Sequence, residues 1–198
     1  MPTVVVATGN PGKLKEMQVY LGALGWDLQL KPDAIDIEET GTTFLENARL
    51  KAAGVAKALG QWAIADDSGL EVNALGGAPG VYSARYADSD QARIDRLLKE
   101  LAAAGEGQGD AGDRSAQFVC ALALANPKGD IVLETEGICP GEILLEPRGA
   151  GGFGYDPIFY LPALGKSFAE MLPEQKDANS HRGIAFGQLM PQLKQLAL

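Results

Sequence analysis

Near its start the sequence turns from strand to helix within a few residues, and this unit restricts the fold more than any other feature. Residues 3–7 form a short run rich in β-branched side chains, suited to a buried strand. Thr8-Gly9-Asn10-Pro11-Gly12-Lys13 breaks the run, with Pro11 near a first helical position. Leu14, Met17, Leu21 and Leu24 then recur at helical spacing and give one apolar face, which Gly25 stops. A strand that feeds directly into an amphipathic helix is a building unit of α/β sheets.

The remaining chain follows the same pattern. Thr43 with Glu46 three residues on is a capping box, and Leu45, Ala48, Ala52, Val55, Ala56 and Leu59 continue an apolar helical face until Gly60. Residues 62–65 read as a second strand that leads straight into Asp66-Asp67-Ser68-Gly69. A third helix is expected from about Ser89, with Ile94, Leu97, Leu98 and Leu101 on one side. Residues 118–125 and 131–136 flank Asn126-Pro127-Lys128-Gly129-Asp130 and read as a β-hairpin. Short helices are expected at 168–177 and 182–196, and the polar, glycine-rich stretch 105–113 reads as a surface loop. The sequence shows no internal repeat. Strand–helix units mixed with hairpin strands predict an α/β protein with a mixed sheet, and 198 residues suit one domain or two closely packed lobes.

Composition narrows the function. With 46% hydrophobic and 22% charged residues the chain is ordinary for a soluble globular protein. No apolar run approaches the ~20 residues of a membrane-spanning helix. The N-terminus opens on strand-like residues without a basic start or cleavage site, so a secretory signal is not expected. Cys120 and Cys139 lie in apolar surroundings without metal-ligand spacing, which favours free buried thiols over a disulfide and points to a reducing compartment. The formal charge of -9 argues against a broad nucleic-acid surface. It also means that an anionic ligand needs a local nest of cations and amides, and the same repulsion points to a metal site.

Five segments carry chemistry. The turn Thr8-Gly9-Asn10-Pro11-Gly12-Lys13 joins a strand to a helix N-terminus, where free N–H groups and the helix dipole favour phosphate. Thr8 and Asn10 add side-chain donors and Lys13 a full charge, although the Walker spacing is absent and a plain structural turn fits as well. Glu38-Glu39 before Thr40-Gly41 reads either as a solvated helix flank or as hard oxygen ligands for Mg²⁺. Asp66-Asp67-Ser68-Gly69 stands at the expected carboxyl end of a strand, where α/β enzymes place their sites. Adjacent strand residues point to opposite faces, so one of the two acids is expected to face the site while the other holds the turn. Gly149-Ala150-Gly151-Gly152-Phe153-Gly154-Tyr155-Asp156-Pro157 lets backbone approach a ligand and offers a ring to stack on a planar base. Ser180-His181-Arg182-Gly183, with Lys176 upstream, contains the only histidine, a residue type that alone is more often structural than catalytic.

Taken in order, these segments resemble the inosine triphosphate pyrophosphatase family, in its bacterial dITP/XTP pyrophosphatase branch. The resemblance rests on Thr8-Gly9-Asn10 with Lys13, Glu38 before Thr40-Gly41, and Ala65-Asp66-Asp67-Ser68-Gly69-Leu70. It continues through Gly76-Gly77-Ala78-Pro79-Gly80-Val81-Tyr82-Ser83-Ala84-Arg85-Tyr86, Gly152-Phe153-Gly154-Tyr155-Asp156-Pro157 and Ser180-His181-Arg182-Gly183. It implies an elongated mixed sheet flanked by helices, with two lobes and a cleft between them. The implied protein is a cytoplasmic homodimer that hydrolyses dITP, ITP or XTP to a monophosphate and pyrophosphate with Mg²⁺. By resemblance, Thr8, Gly9, Asn10, Pro11, Gly12 and Lys13 cradle the triphosphate. Asp67 is the proton acceptor and a metal ligand, and Glu38 the second metal contact. Ser68, Phe153, Gly154, Tyr155, Asp156, Lys176, His181 and Arg182 bind the nucleotide.

Physical chemistry supports these roles. Mg²⁺ and Lys13 can offset the repulsion between a polyphosphate and an acidic protein, and Asp67 can take a proton from water attacking the α-phosphorus. Donors from Arg182, His181 or Lys176 would pair with the C6 carbonyl of hypoxanthine or xanthine and meet only N–H groups on adenine. Neither nucleic acid nor membrane is expected as a partner. Two other readings stay open from the residues: the same chemistry on a modified pyrimidine, and a nucleotide-binding regulator without catalysis.

Overall fold

A computed structural model describes residues 2–105 and 112–196 of the chain. Most of the loop expected at 105–113 lies outside the described residues. The chain forms two compact units, one comprising Met1–Asp67, Cys120–Gly137 and Arg182–Leu198, the other Ser68–Val119 and Ile138–His181. Its strands make a mixed seven-stranded sheet of order β2-β1-β3-β4-β5-β6-β7.

In the first unit, β1 (Thr3–Val6) leads through the glycine turn into α1 (Pro11–Leu21). Pro11 opens that helix as expected, since its missing N–H is not needed there. Met17 and Leu21 are buried, and Gly25 ends the following 3₁₀ turn in the left-handed conformation. β2 (Asp27–Leu30) runs parallel to β1 at the sheet edge, its exposed Asp27 and Gln29 alternating with Leu28 and Leu30; this four-residue strand was not assigned from the sequence. α2 (Phe44–Leu59) has the expected Thr43–Glu46 capping box and the left-handed Gly60. β3 (Trp62–Val72) pairs with β1 in parallel. The core joins Val4, Val6, Met17, Leu21 and Ile64 to Cys120, Leu122, Leu124, Phe186, Leu189 and Leu193.

The strand expected at 62–65 continues to Val72, so Asp66 and Asp67 sit inside it rather than at its end. Leu70 and Val72 are fully buried beyond the acids, and that apolar continuation outweighs the breaking tendency of Ser68-Gly69. Neither acid therefore holds a turn at the end of the strand, the role expected for one of them.

The other elements are α3 (Asp90–Gly105), β4 (Ser115–Ala125), β5 (Ile131–Ile143), β6 (Phe159–Leu161), β7 (Lys166–Ser167), α4 (Pro173–Asn179) and α5 (His181–Leu193). β4 and β5 are the expected hairpin, lengthened at both outer ends. The Asn126 side chain accepts from Lys128 and Asp130 N–H in its turn, where Gly129 has a positive φ. The helix expected over 168–177 starts only at Pro173; 168–170 is a 3₁₀ turn, and Leu172 is held extended before the proline. In the second unit Phe118, Phe159 and Phe168 form an aromatic centre, with Phe118 and Phe159 edge-to-face at 4.6 Å. Both cysteines are buried free thiols, as expected. Among the described residues no helix is long and apolar enough to cross a membrane.

Candidate active site

Two polar clusters gather most of the residues singled out from the sequence, one within each unit. The first centres on Asp66 and Asp67 of β3. As neighbours on a strand they point to opposite faces. Each finds its own cationic partners.

Asp66 is wholly buried, with Lys13 Nζ at 3.0 Å and Arg182 Nη2 at 2.8 Å. Arg182, itself only 2% exposed, also pairs with Glu16 of α1. Burial works to raise the Asp66 pKa, but the Lys13 and Arg182 charges override it and hold the carboxyl well below the usual range. The Arg182 guanidinium stays charged: burial opposes the charge, and Asp66 more than restores it.

Asp67 is set differently. Lys51 Nζ of α2 lies 2.9 Å from Asp67 Oδ1 and 2.7 Å from Glu39, while Asn47 Nδ2 donates to Asp67 Oδ2 at 3.3 Å. Burial pushes the Asp67 pKa up, and Lys51 offsets this only in part. A carboxylate with raised basicity is the kind of group that accepts a proton during a reaction. The Lys51 ammonium is pulled down by burial and more than restored by Asp67 and Asp66.

The turn at 8–13 is organised from within. Thr8 Oγ1 accepts from Asn10 N–H at 3.1 Å, and Asn10 Oδ1 accepts from Gly12 and Lys13 N–H at 2.8 and 3.4 Å. The two side chains expected as phosphate donors thus act here as acceptors that cap α1. Gly9, Asn10 and Pro11 are exposed, whereas Thr8, Gly12 and Lys13 are partly buried.

The second cluster is aromatic. Lys176 Nζ pairs with buried Asp156 at 2.7 Å and lies 4.7 Å from the centre of the Phe153 ring. Asp156 Oδ2 also accepts from Phe153 N–H at 2.9 Å. Gly152 is required beside it, because a Cβ there would stand 1.9 Å from that oxygen and φ is +73°. The Tyr155 hydroxyl donates to Ser83 O at 2.9 Å. His181 is buried and stacks on Phe118 with ring centres 4.7 Å apart.

The first cluster therefore gathers Lys13, Asp67 and Arg182, and the second Phe153, Gly154, Tyr155, Asp156, Lys176 and His181. Glu38 is exposed, and it is Glu39 that reaches Lys51. Ser68 is partly buried on β3. Sequence reasoning missed Glu16, Asn47 and Lys51, and named Glu39 only within the Glu38-Glu39 pair. Asn47 and Lys51 interrupt the apolar stripe of α2 one turn apart, a polar break that could have marked them.

An open mixed sheet carrying carboxylates, each matched to an ammonium or guanidinium, defines an α/β protein with a charged site suited to a polyanion and a cation. A sequence profile of the Ham1 family matches residues 4–192, and the chain belongs to that family. A dITP/XTP pyrophosphatase from Nostoc sp. is 59% identical over 190 residues, covering 96% of this chain and 93% of that protein. The corresponding Synechocystis sp. protein is 58% identical, with coverage of 97% and 95%. Among solved structures, a HAM1 protein from Coxiella burnetii superposes with a TM-score of 0.89 at 46% identity, over 99% of this chain and 100% of that one. The Staphylococcus aureus Ham1 protein gives 0.84 at 44% identity, over 98% of each chain.

Proposed function

We propose that this protein hydrolyses non-canonical purine nucleoside triphosphates, dITP, ITP and XTP, to the monophosphate and pyrophosphate. Relatives at 59% and 58% identity bear the name dITP/XTP pyrophosphatase, which supports the substrate class. The observation that carries the chemistry is Asp67, buried, raised in basicity and held by Lys51 and Asn47.

In this reading Asp67 accepts the proton of the water that attacks the α-phosphorus. Lys51 and Asn47 fix its two oxygens and so set its direction. Lys13, directed by Asp66, meets the triphosphate beside the α1 N-terminus. Phosphate binding there would draw Gly12 and Lys13 N–H from the Asn10 cap, while the Thr8 hydroxyl and Asn10 Nδ2 can donate as they stand. The Phe153 ring and Lys176 serve the base, flat face against flat face with an ammonium beside it. His181 backs this cluster through Phe118, and Ser68, Gly154, Tyr155, Asp156 and Arg182 are assigned with it to nucleotide binding.

Magnesium fits the acids present. Among the described residues no three His, Cys, Asp or Glu side chains form a ready-made cage. Mg²⁺ needs none, since it is commonly held by one or two carboxylates together with substrate phosphates. Asp67 and the Glu38-Glu39 pair supply hard oxygen donors, and Asp67 and Glu39 already converge on one cation, Lys51. Bound there, the metal would polarise phosphate oxygens and take up developing charge. The family match spans both compact units, so we treat the chain as one functional domain, and the resemblance alone supports reading it as a cytoplasmic homodimer.

A panel of dITP, XTP, dATP, dGTP and dTTP, with and without Mg²⁺, tests this. The expected result is metal-dependent pyrophosphate release from dITP and XTP. Equal turnover of all five, or full turnover in excess chelator, would contradict it.

A further inference from the structure

We propose that Asp90 is a positioning residue for base recognition: its carboxylate fixes the backbone of the segment that carries Phe153. This rests on the reading of the Phe153–Lys176 cluster as the base site. Asp90 is the first residue of α3, 64 positions away in sequence, yet its Oδ2 accepts a hydrogen bond from Gly154 N–H at 2.8 Å. The other oxygen, Oδ1, is held by Arg93 at 2.6 Å, so the carboxylate has one oxygen turned to each partner.

Gly154 has φ +60° and lies between Phe153, which is 37% exposed, and Tyr155, which is buried. The next anchor is the Tyr155 hydroxyl on Ser83 O, and Ser83 in turn accepts from Leu70 N–H of β3 at 2.9 Å. Consecutive residues of the segment are thus tied to points at each end of 83–90. On the other side of Phe153, its own N–H is tied to Asp156, the partner of Lys176. The ring is therefore presented by a backbone fixed before and after it. Asp90 thus supplies a charged acceptor to the segment from outside it.

Asp90 also suits a helix N-terminus by charge alone. The two roles separate by experiment. Asp90→Ala removes the acceptor, while Asp90→Asn keeps an oxygen able to accept from Gly154 but loses the charge. Steady-state hydrolysis of dITP and calorimetric binding of inosine monophosphate are measured on both, with Phe153→Ala as reference and melting temperature recorded. Asp90→Ala is expected to raise KM and the monophosphate Kd about fivefold to tenfold, as for one lost hydrogen bond, with kcat within about twofold. Asp90→Asn is expected to restore both to within about twofold. Unchanged binding in Asp90→Ala, with or without a lower melting temperature, would overturn the proposal. Equal loss in Asp90→Ala and Asp90→Asn would overturn it too, by showing that charge rather than the acceptor matters. If Phe153→Ala itself binds inosine monophosphate normally, the base-site reading fails, and that failure is distinct from normal Phe153 dependence without Asp90 dependence.

Discussion

Replacing Arg182 with alanine removes a deeply buried charge. Its guanidinium is the shared partner of Asp66, fully buried, and Glu16. Alanine would take the Arg182 charge from buried Asp66, leaving the charges of Lys13 and Lys51 to offset its burial, and would empty the volume of a long side chain. Removing one partner of a buried ion pair costs about 3–5 kcal/mol. For a chain of 198 residues each kcal/mol moves Tm by roughly 2–4 °C. The expected drop is therefore about 6–20 °C. Its pH dependence follows from the sign of the Asp66 shift. The folded-state pKa is depressed, so the network stabilises above the ordinary value of 3.8 and loses that contribution only as pH falls below it. Calorimetric melts of wild type and Arg182→Ala at pH 7 and pH 5 should give the same difference. A drop smaller than about 3 °C, or a difference that vanishes by pH 5, would refute the electrostatic argument.

Further outcomes follow from other positions. Asp67→Asn keeps shape but cannot accept a proton, so kcat for dITP should fall roughly 10²-fold or more, and a fall confined to KM would remove the base assignment. Gly152→Ala should lower kcat/KM and destabilise the fold by at least about 1–3 kcal/mol, read by urea unfolding, since its Cβ meets Asp156 and its φ is left-handed. Burial raises the thiol of Cys120 to about 12 and that of Cys139 to about 11. Native protein at pH 8 should therefore resist Ellman's reagent, with reaction appearing only on unfolding.

Much of this was legible in the sequence, for local reasons. Capping by Thr43 and Glu46, the stop at Gly60, Pro11 at a helix start and the turn at 126–130 are decided within a few residues. What escaped was decided at a distance or by short elements. β6 and β7 have three and two residues, too few to show periodicity, and the alternation of β2 spans only four. The continuation of β3 past Asp67 depends on burial that no local signal records. The acids and Lys13 stood out as motifs, but their partners did not. Lys51 and Asn47 are separated from Asp67 by 16 and 20 positions, and Glu16 from Arg182 by 166. For Arg182 the sequence suggested a donor to the base; its carboxylate partners in the structure give it a scaffold role as well.

The central claim is attack by water on the α-phosphorus, and isotope placement tests it most directly. Hydrolysis of dITP in ¹⁸O-labelled water with Mg²⁺, followed by mass spectrometry of the products, reads the bond that breaks. The account expects unlabelled pyrophosphate and one ¹⁸O in deoxyinosine monophosphate, because the new P–O bond forms at the phosphorus that stays with the nucleoside. Label in pyrophosphate, or deoxyinosine diphosphate and orthophosphate as the first products, would contradict it.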